Sequence, residues 1–271
     1  MKSKGKQKES EVKKFYNLVA HGYEQKSRSP NRFCDKVLEH FIFKFLPAKK
    51  LRVLDVGGGI GRFAFPLARK DHEVVLSDIS ESMLAEAKKI AAKNKISNIS
   101  FIKESATSLK NHAGNSFDAA LAMNAILDYC GNYKKTISEI YRVLKKNGVF
   151  IGNANNLFMY AIKWEILDGD FKKFRHSMKT GDRFISWLVK GKGHYSHEFT
   201  AKELEKALKT AGFKSIKLLG VFNLLDKYLD SNPAWTDNPI KMKEFLKLQE
   251  KYALDKDYLN NSNDFFFIAK K

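Results

Sequence analysis

The stretch Val53-Leu54-Asp55-Val56-Gly57-Gly58-Gly59-Ile60-Gly61-Arg62 holds the residue types that a nucleotide ligand asks of a backbone. An apolar run ends in Asp55, a turn follows with glycine at 57, 58, 59 and 61, and an apolar helix pattern continues to Ala68. Without a Cβ, such a turn takes positive φ and lets a ligand lie directly on the chain. The following helix points free N–H groups and the positive end of its dipole at the same place. The dinucleotide spacing G-x-G-x-x-G is not met: counted from Gly57 and Gly59, its third glycine falls on Arg62. A second carboxylate, Asp78, closes the run Glu73–Asp78. It stands about twenty residues beyond the glycines, the separation that a βαβ unit imposes. As an acceptor-only group it can bind both hydroxyls of a ribose. Its ordinary alternative is a charge at the start of the helix whose N-cap is Ser80.

Strands alternating with helices over 51–154 must position these groups, and they predict a parallel sheet with helices on both faces. Met83, Leu84, Ala87, Ile90 and Ala91 form a helical stripe for the sheet to cover. A strand pattern recurs at 99–102, and 116–125 and 137–148 resemble a strand with its loop and a helix with its turn. Phe199 to Phe213 predicts a helix with a capping box at Thr200 and Glu203 and a staple of Phe199 on Leu204. Gly212 stands at its C-cap. The run Phe265–Lys271 reads as a last strand.

The pattern Asp-x-Gly-x-Gly-x-Gly (Asp55, Gly57, Gly59, Gly61), followed by Asp78 and these segments in order, resembles the class I S-adenosylmethionine (SAM)-dependent methyltransferases, of the ubiquinone/menaquinone-biosynthesis type. The resemblance covers about residues 12–220 and the final strand. It implies a Rossmann-like α/β fold with a seven-stranded, mostly parallel sheet, an antiparallel last strand, helices on both faces, and helical, aromatic insertions. It also implies SAM as cofactor and S-adenosylhomocysteine (SAH) as product, with in-line displacement at the methyl group. By resemblance, Tyr23 donates to the SAM carboxylate and Ile79 and Met83 join Asp78 in holding the cofactor. Ser105 and Ala106 border the adenine, and Met123 and Asn124 underlie the methionine moiety. The family has Asp where Ser105 stands, so a serine oxygen or a backbone carbonyl must take the adenine amino group.

Residues 1–14 read as a basic flexible tail and 15–271 as a single domain, with a helical cover over 15–46. Two insertions, 155–199 and 221–262, interrupt the alternation. The first falls where the fold roofs an acceptor, and it interleaves aromatics with lysine and arginine. That mixture suits a small or medium-sized, aromatic or anionic acceptor, with Trp164, Trp187 and Tyr195 as contacts. Its structural alternative is a subdomain packing its own core. His194 and His197 precede the Thr200 helix and are the general-base candidates, though loop histidines are commonly solvated or structural.

The net charge of +19 is the footprint that RNA or an anionic membrane would call for. Yet only eight of the 49 basic residues are arginine, the side chain that nucleic-acid readers favour for bidentate contacts. A small-molecule acceptor is therefore expected, with a tRNA or rRNA acceptor and a non-catalytic SAM-binding protein as alternatives. No metal is expected, because Asn124, Asn155 and Asn156 stand where carboxylates would hold a divalent cation. Cys130 lacks the proline context of a pyrimidine-attacking nucleophile, and it forms no disulfide framework with Cys34. With no signal peptide and no membrane-spanning run, the expected compartment is the cytoplasm. The oligomeric state is not specified by these patterns.

Overall fold

Unbroken apolar runs fold as strands covered on both faces. In the computed structural model, which describes residues 4–23, 32–189, 192–222 and 232–271, β1 (Arg52–Val56), β2 (Glu73–Asp78) and β4 (Phe117–Ala122) are buried over nearly their whole length. With β3 (Ile99–Lys103), β5 (Leu144–Asn155), β8 (Lys214–Val221) and β9 (Asp264–Lys270) they build one seven-stranded sheet, ordered β3-β2-β1-β4-β5-β9-β8. Neighbours from β3 to β5 are parallel, and β9 runs antiparallel between β5 and β8. This is the expected Rossmann-like sheet with a reversed last strand.

On one face lie α2 (Arg32–Phe45), α3 (Ala64–Arg69) and α4 (Glu81–Lys93), which bury Phe33, Phe41, Leu67 and Ala87 against Leu76 and Phe266. The other face carries α6 (Tyr133–Val143) and α9 (Ala201–Thr210), with Ile137, Ile140, Leu204 and Leu208 on Phe150 and Phe267. A short α5 (Ile126–Tyr129) follows β4. The local signals are realised: Ser80 Oγ accepts the Met83 N–H at 3.1 Å, and Thr200 Oγ1 accepts the Glu203 N–H at 3.2 Å. Gly212 sits at φ +103° beyond the end of α9.

The first insertion contains α7 (Leu157–Ala161), a π-helical turn (Ile162–Ile166) and α8 (Phe171–Thr180). It ends in an antiparallel hairpin, β6 (Asp182–Val189) and β7 (Lys192–His197), which the expectation of a helical insertion did not include. The second carries α10 (Pro233–Thr236), α11 (Pro239–Tyr252) and α12 (Lys256–Asn260).

The expected basic tail is corrected. From Lys4 onward it is helix α1 (Lys4–Val19). Val12, Phe15 and Val19 recur at helical spacing, and the stripe is buried, with Phe15 and Val19 packed with Ile60 and Met83. Among the described residues no helix is long and apolar enough to cross a membrane.

Candidate active site

Ligands of open α/β sheets sit beyond the carboxyl ends of the strands. Beyond β1, β2 and β4 lies a cleft of about 930 Å³, its open mouth included. Gly57 and Gly59 both line it, at φ +66° and +55°. A Cβ on Gly57 would come 2.3 Å from the Ile126 side chain, whereas one on Gly59 would meet nothing within 4 Å. Positive φ favours glycine at both, and the second leaves bare backbone toward the cleft. Gly61 does not line the cleft but backs onto the Phe65 ring.

At the end of β2, Asp78 Oδ2 accepts the Gly59 N–H at 2.9 Å and Oδ1 accepts the Ser80 N–H at 2.7 Å. One carboxylate thus ties the glycine turn to the second strand while facing the cleft. Burial pushes its pKa up to about 6, against the pull of these N–H donors. Asp55, also in the wall, is pushed up to about 7 by burial and then by the Asp78 charge. Ile79, Met83, Ala106 and Met123 supply apolar wall, and Glu9, Val12 and Tyr16 of α1, followed by Tyr23, close the opposite side. Ser105 is not in the wall. Its hydroxyl donates to Glu9 and lies 2.8 Å from the Thr107 hydroxyl, so it clasps α1 to the turn after β3. Cys130 lines the cleft, but burial pushes its thiol up to about 12, which leaves it un-ionised and inert.

Asn124, at φ +56°, turns the chain out of β4 and lines the far end of the cleft. Its N–H donates to Asn153 Oδ1 at 2.6 Å, and Asn153 Nδ2 donates to Asp264 Oδ2 at 2.8 Å. Nearby, the Asn155 N–H donates to Asp128 Oδ1 at 3.0 Å. The β6–β7 hairpin packs on α1 and α5 at this end. The two-residue period divides its side chains: Arg183, His194 and Ser196, with Glu198 just beyond β7, are buried, while Phe184 and Tyr195 are 50% and 43% exposed. Arg183 Nη1 donates to Glu198 Oε1 at 2.6 Å, and its Nε lies 3.5 Å from Glu165 Oε1. Glu165 Oε1 also accepts from the Ser177 hydroxyl at 2.8 Å. Asp128 Oδ2, Glu165 Oε2, Glu198 Oε2, Ser196 Oγ and His194 Nε2 are buried without a hydrogen-bond partner. Burial, then the charges of Glu198 and Asp264, hold Asp128 well above the usual carboxylate range. Burial likewise brings Glu198 and Asp264 each to about 7. Tyr129 joins the two regions: it lines the cleft, and its ring meets that of His194 edge-on at 4.8 Å.

The catalytic and acceptor expectations divide. His194 is fully buried behind Tyr16 and Tyr129, and burial lowers its pKa. Its Nδ1 lies 3.1 Å from the Tyr195 carbonyl, which can only accept, so Nδ1 carries the proton and Nε2 keeps its lone pair. His197 is removed as a base. Asp182 and Glu203 hold its two ring nitrogens at 3.0 and 3.1 Å and, against burial, raise its pKa. Tyr195 points outward onto Phe184, away from the cleft. The side chains of Trp164 and Trp187 lie outside the described residues. Lys172, Lys173, Arg175 and Lys179 are exposed, whereas the acids are inside. Of the insertion's described lysines and arginines, Arg183 is the one buried with them. Glu9, Tyr129, Asp128, Glu165, Glu198 and Asp264 escaped the sequence reading. Its one available signal was the alternating polar set His194, Ser196, Glu198.

Comparison with known proteins sets this geometry in a family. A model described as a methyltransferase domain matches residues 47–212. An uncharacterized protein of Methanocaldococcus jannaschii is 31% identical over 225 residues, covering 81% of this chain and 82% of that protein. The tRNA 5-carboxymethoxyuridine methyltransferase of Escherichia coli is 34% identical over 116 residues, covering 41% of this chain and 44% of that enzyme. A ubiquinone biosynthesis O-methyltransferase of Dinoroseobacter shibae is 29% identical, covering 67% of each chain. Among solved structures, a SAM-dependent methyltransferase, possible histamine N-methyltransferase, of Thermotoga maritima superposes with a TM-score of 0.60 at 18% identity, covering 94% of this chain and 98% of that one.

Proposed function

The chain belongs to the methyltransferase-domain family, as a class I SAM-dependent methyltransferase, and from that premise we propose that it methylates a small or medium-sized molecule held between the cofactor cleft and the insertion over 155–199. The observation that carries this reading is the bare Gly59 backbone beside the Asp78 carboxylate in one cleft. The residues lining the cleft fit SAM: Asp78 would accept from a ribose, Ile79, Met83 and Ala106 would flank a flat base, and Tyr23 and Asn124 would hold the amino-acid portion. SAM, when bound, supplies a methyl group already activated by the sulfonium. The protein's task is then chiefly to hold a nucleophile in line and exclude water, and orientation of this kind supplies much of such a rate enhancement. Tyr129, Asn124 and the buried face of the hairpin bound the place where that nucleophile would sit.

Similarity to a tRNA enzyme keeps RNA as the alternative acceptor. Against it, α1, α5 and β7 wall the acceptor end, and the groups buried there are carboxylates, which repel phosphates. The test is to incubate the protein with labelled SAM and either a small-molecule extract or total RNA from its source cells. Label is expected in the extract. Label entering RNA and surviving moderate salt would overturn the small-molecule reading. Gly59→Val places a side chain in the cleft at a strained φ and is expected to abolish SAH binding in calorimetry while the protein stays folded.

A further inference from the structure

We propose that the acceptor is a cationic amine, gripped by the buried carboxylates of Asp128, Glu165 and Glu198; this rests on the methyl-transfer reading above. The three come from separate elements, α5, the π-helical turn and the end of the hairpin. They are 2%, 4% and 0% exposed, and each keeps one oxygen with no partner. Asp264 lies within electrostatic reach of Asp128 and Glu198, as Glu165 does of Glu198. Among the described residues, the cations set against these four are Arg183, buried with them, and Lys163, exposed and acting on Asp264. The remaining neighbours that titrate are Tyr129, Tyr160 and His194, and none of them adds positive charge as the structure stands.

Ionised carboxylates are tolerated in an interior only when paired or hydrogen-bonded. Here acids outnumber bases, and the charges of Asp128 and Glu198 reach Tyr129, which itself lines the cofactor cleft. An ammonium group brings a positive charge and three donors to such a place, whereas an alcohol brings one donor and a carboxylate or phosphate none.

The same acids solve the chemical problem of a protonated amine, which has no lone pair. An N–H bond breaks and the proton passes to a carboxylate oxygen of Asp128 or Glu198. The freed lone pair forms the N–C bond as the C–S electron pair stays on sulfur, giving an N-methylammonium and SAH. Burial has already brought Glu198 to about 7, so it can exchange a proton near neutrality.

Calorimetry on the full chain with SAH present tests this with two matched series: tyramine, tyrosol and para-hydroxyphenylacetate; then putrescine, butanediol and succinate. The amine of at least one series is expected to bind about tenfold or more tighter than its alcohol, the scale of a charged hydrogen bond, with no binding of the acid. With labelled SAM, the label should appear on nitrogen. Asp128→Asn and Glu198→Gln should each weaken amine binding by about tenfold or more and leave SAH affinity unchanged. Glu165→Gln replaces either variant that fails to fold. The proposal is overturned if neither amine binds, if alcohol or acid binds as well as amine, or if folded variants keep amine affinity. Failure of the unaltered protein to bind SAH would instead overturn the methyl-transfer reading.

Discussion

The two ends of the cleft are made differently. At the cofactor end the groups that matter are backbone, a glycine turn and a strand-end carboxylate brought together by one βαβ unit within residues 53–83. At the proposed acceptor site they are side chains from α5, the π-helical turn, the hairpin and β9, spread from Asp128 to Asp264. Backbone recognition fixes a local sequence pattern, because few residues tolerate the geometry. Side-chain recognition needs only that distant residues converge, which leaves no local trace.

Arg183→Met should give the largest effect, since it leaves Glu165 and Glu198 buried without their cation. A loss of about 3–5 kcal/mol in unfolding free energy is expected near neutral pH, read by denaturant melts. The loss should shrink in mild acid, where Glu198, with its pKa near 7, is protonated. SAH affinity of the folded fraction should hold, and if it collapsed with stability the two ends would be one unit.

Asp78→Ala acts on the other end. SAH affinity should fall by about 1.5–3 kcal/mol, the scale of charged hydrogen bonds, with amine contacts untouched; calorimetry showing wild-type affinity would remove Asp78 from the ribose site.

The pH response should be smaller still. Burial pushes the Asp78 carboxyl up to about 6 in the folded protein, from an ordinary value of 3.8. The stability it contributes is therefore complete below the lower value and lost as pH rises through the higher one. Ribose hydroxyls donate to the ionised form, so SAH should bind tighter from mild acid to neutrality, by at most about tenfold per unit. Proton release should be visible as buffer-dependent binding heat, and a flat profile would contradict the assignment. Thr200→Ala completes the series as a scaffold control: losing the cap should cost about 1 kcal/mol of stability and change neither affinity.

The alternation of strands and helices, the caps at Ser80 and Thr200 and the turn at Gly212 were legible because each is a short-range rule. The helical cover was legible from Phe15 onward, but the preceding turns of α1 were read as a tail because lysines masked the start of the stripe of Val12, Phe15 and Val19. Ser105 was misplaced for the same reason, since its partner Glu9 lies on that helix. The hairpin was missed because it inverts the usual pattern: Phe184 and Tyr195 face water while Arg183, His194 and Ser196 face inward. Read by hydrophobicity, its buried face looks like its exposed one. His194 and His197 looked equivalent in a loop, but they are separated by an odd number of strand positions and fall on opposite faces.

Glu9 helps wall one end of the cleft, and Asp264 supports the other through Asn153. These two residues stand nearly the whole chain apart, so the closures that join them are costly ones, and contacts of such separation slow folding. During synthesis the glycine turn and β2 leave the ribosome long before β9, and larger chains fold in stages through partly built states. A nascent chain can therefore own the glycine turn and β2 before the residues of the proposed acceptor site are all made. Methyl transfer in a cell would then count completed molecules, whereas cofactor binding would count unfinished ones as well.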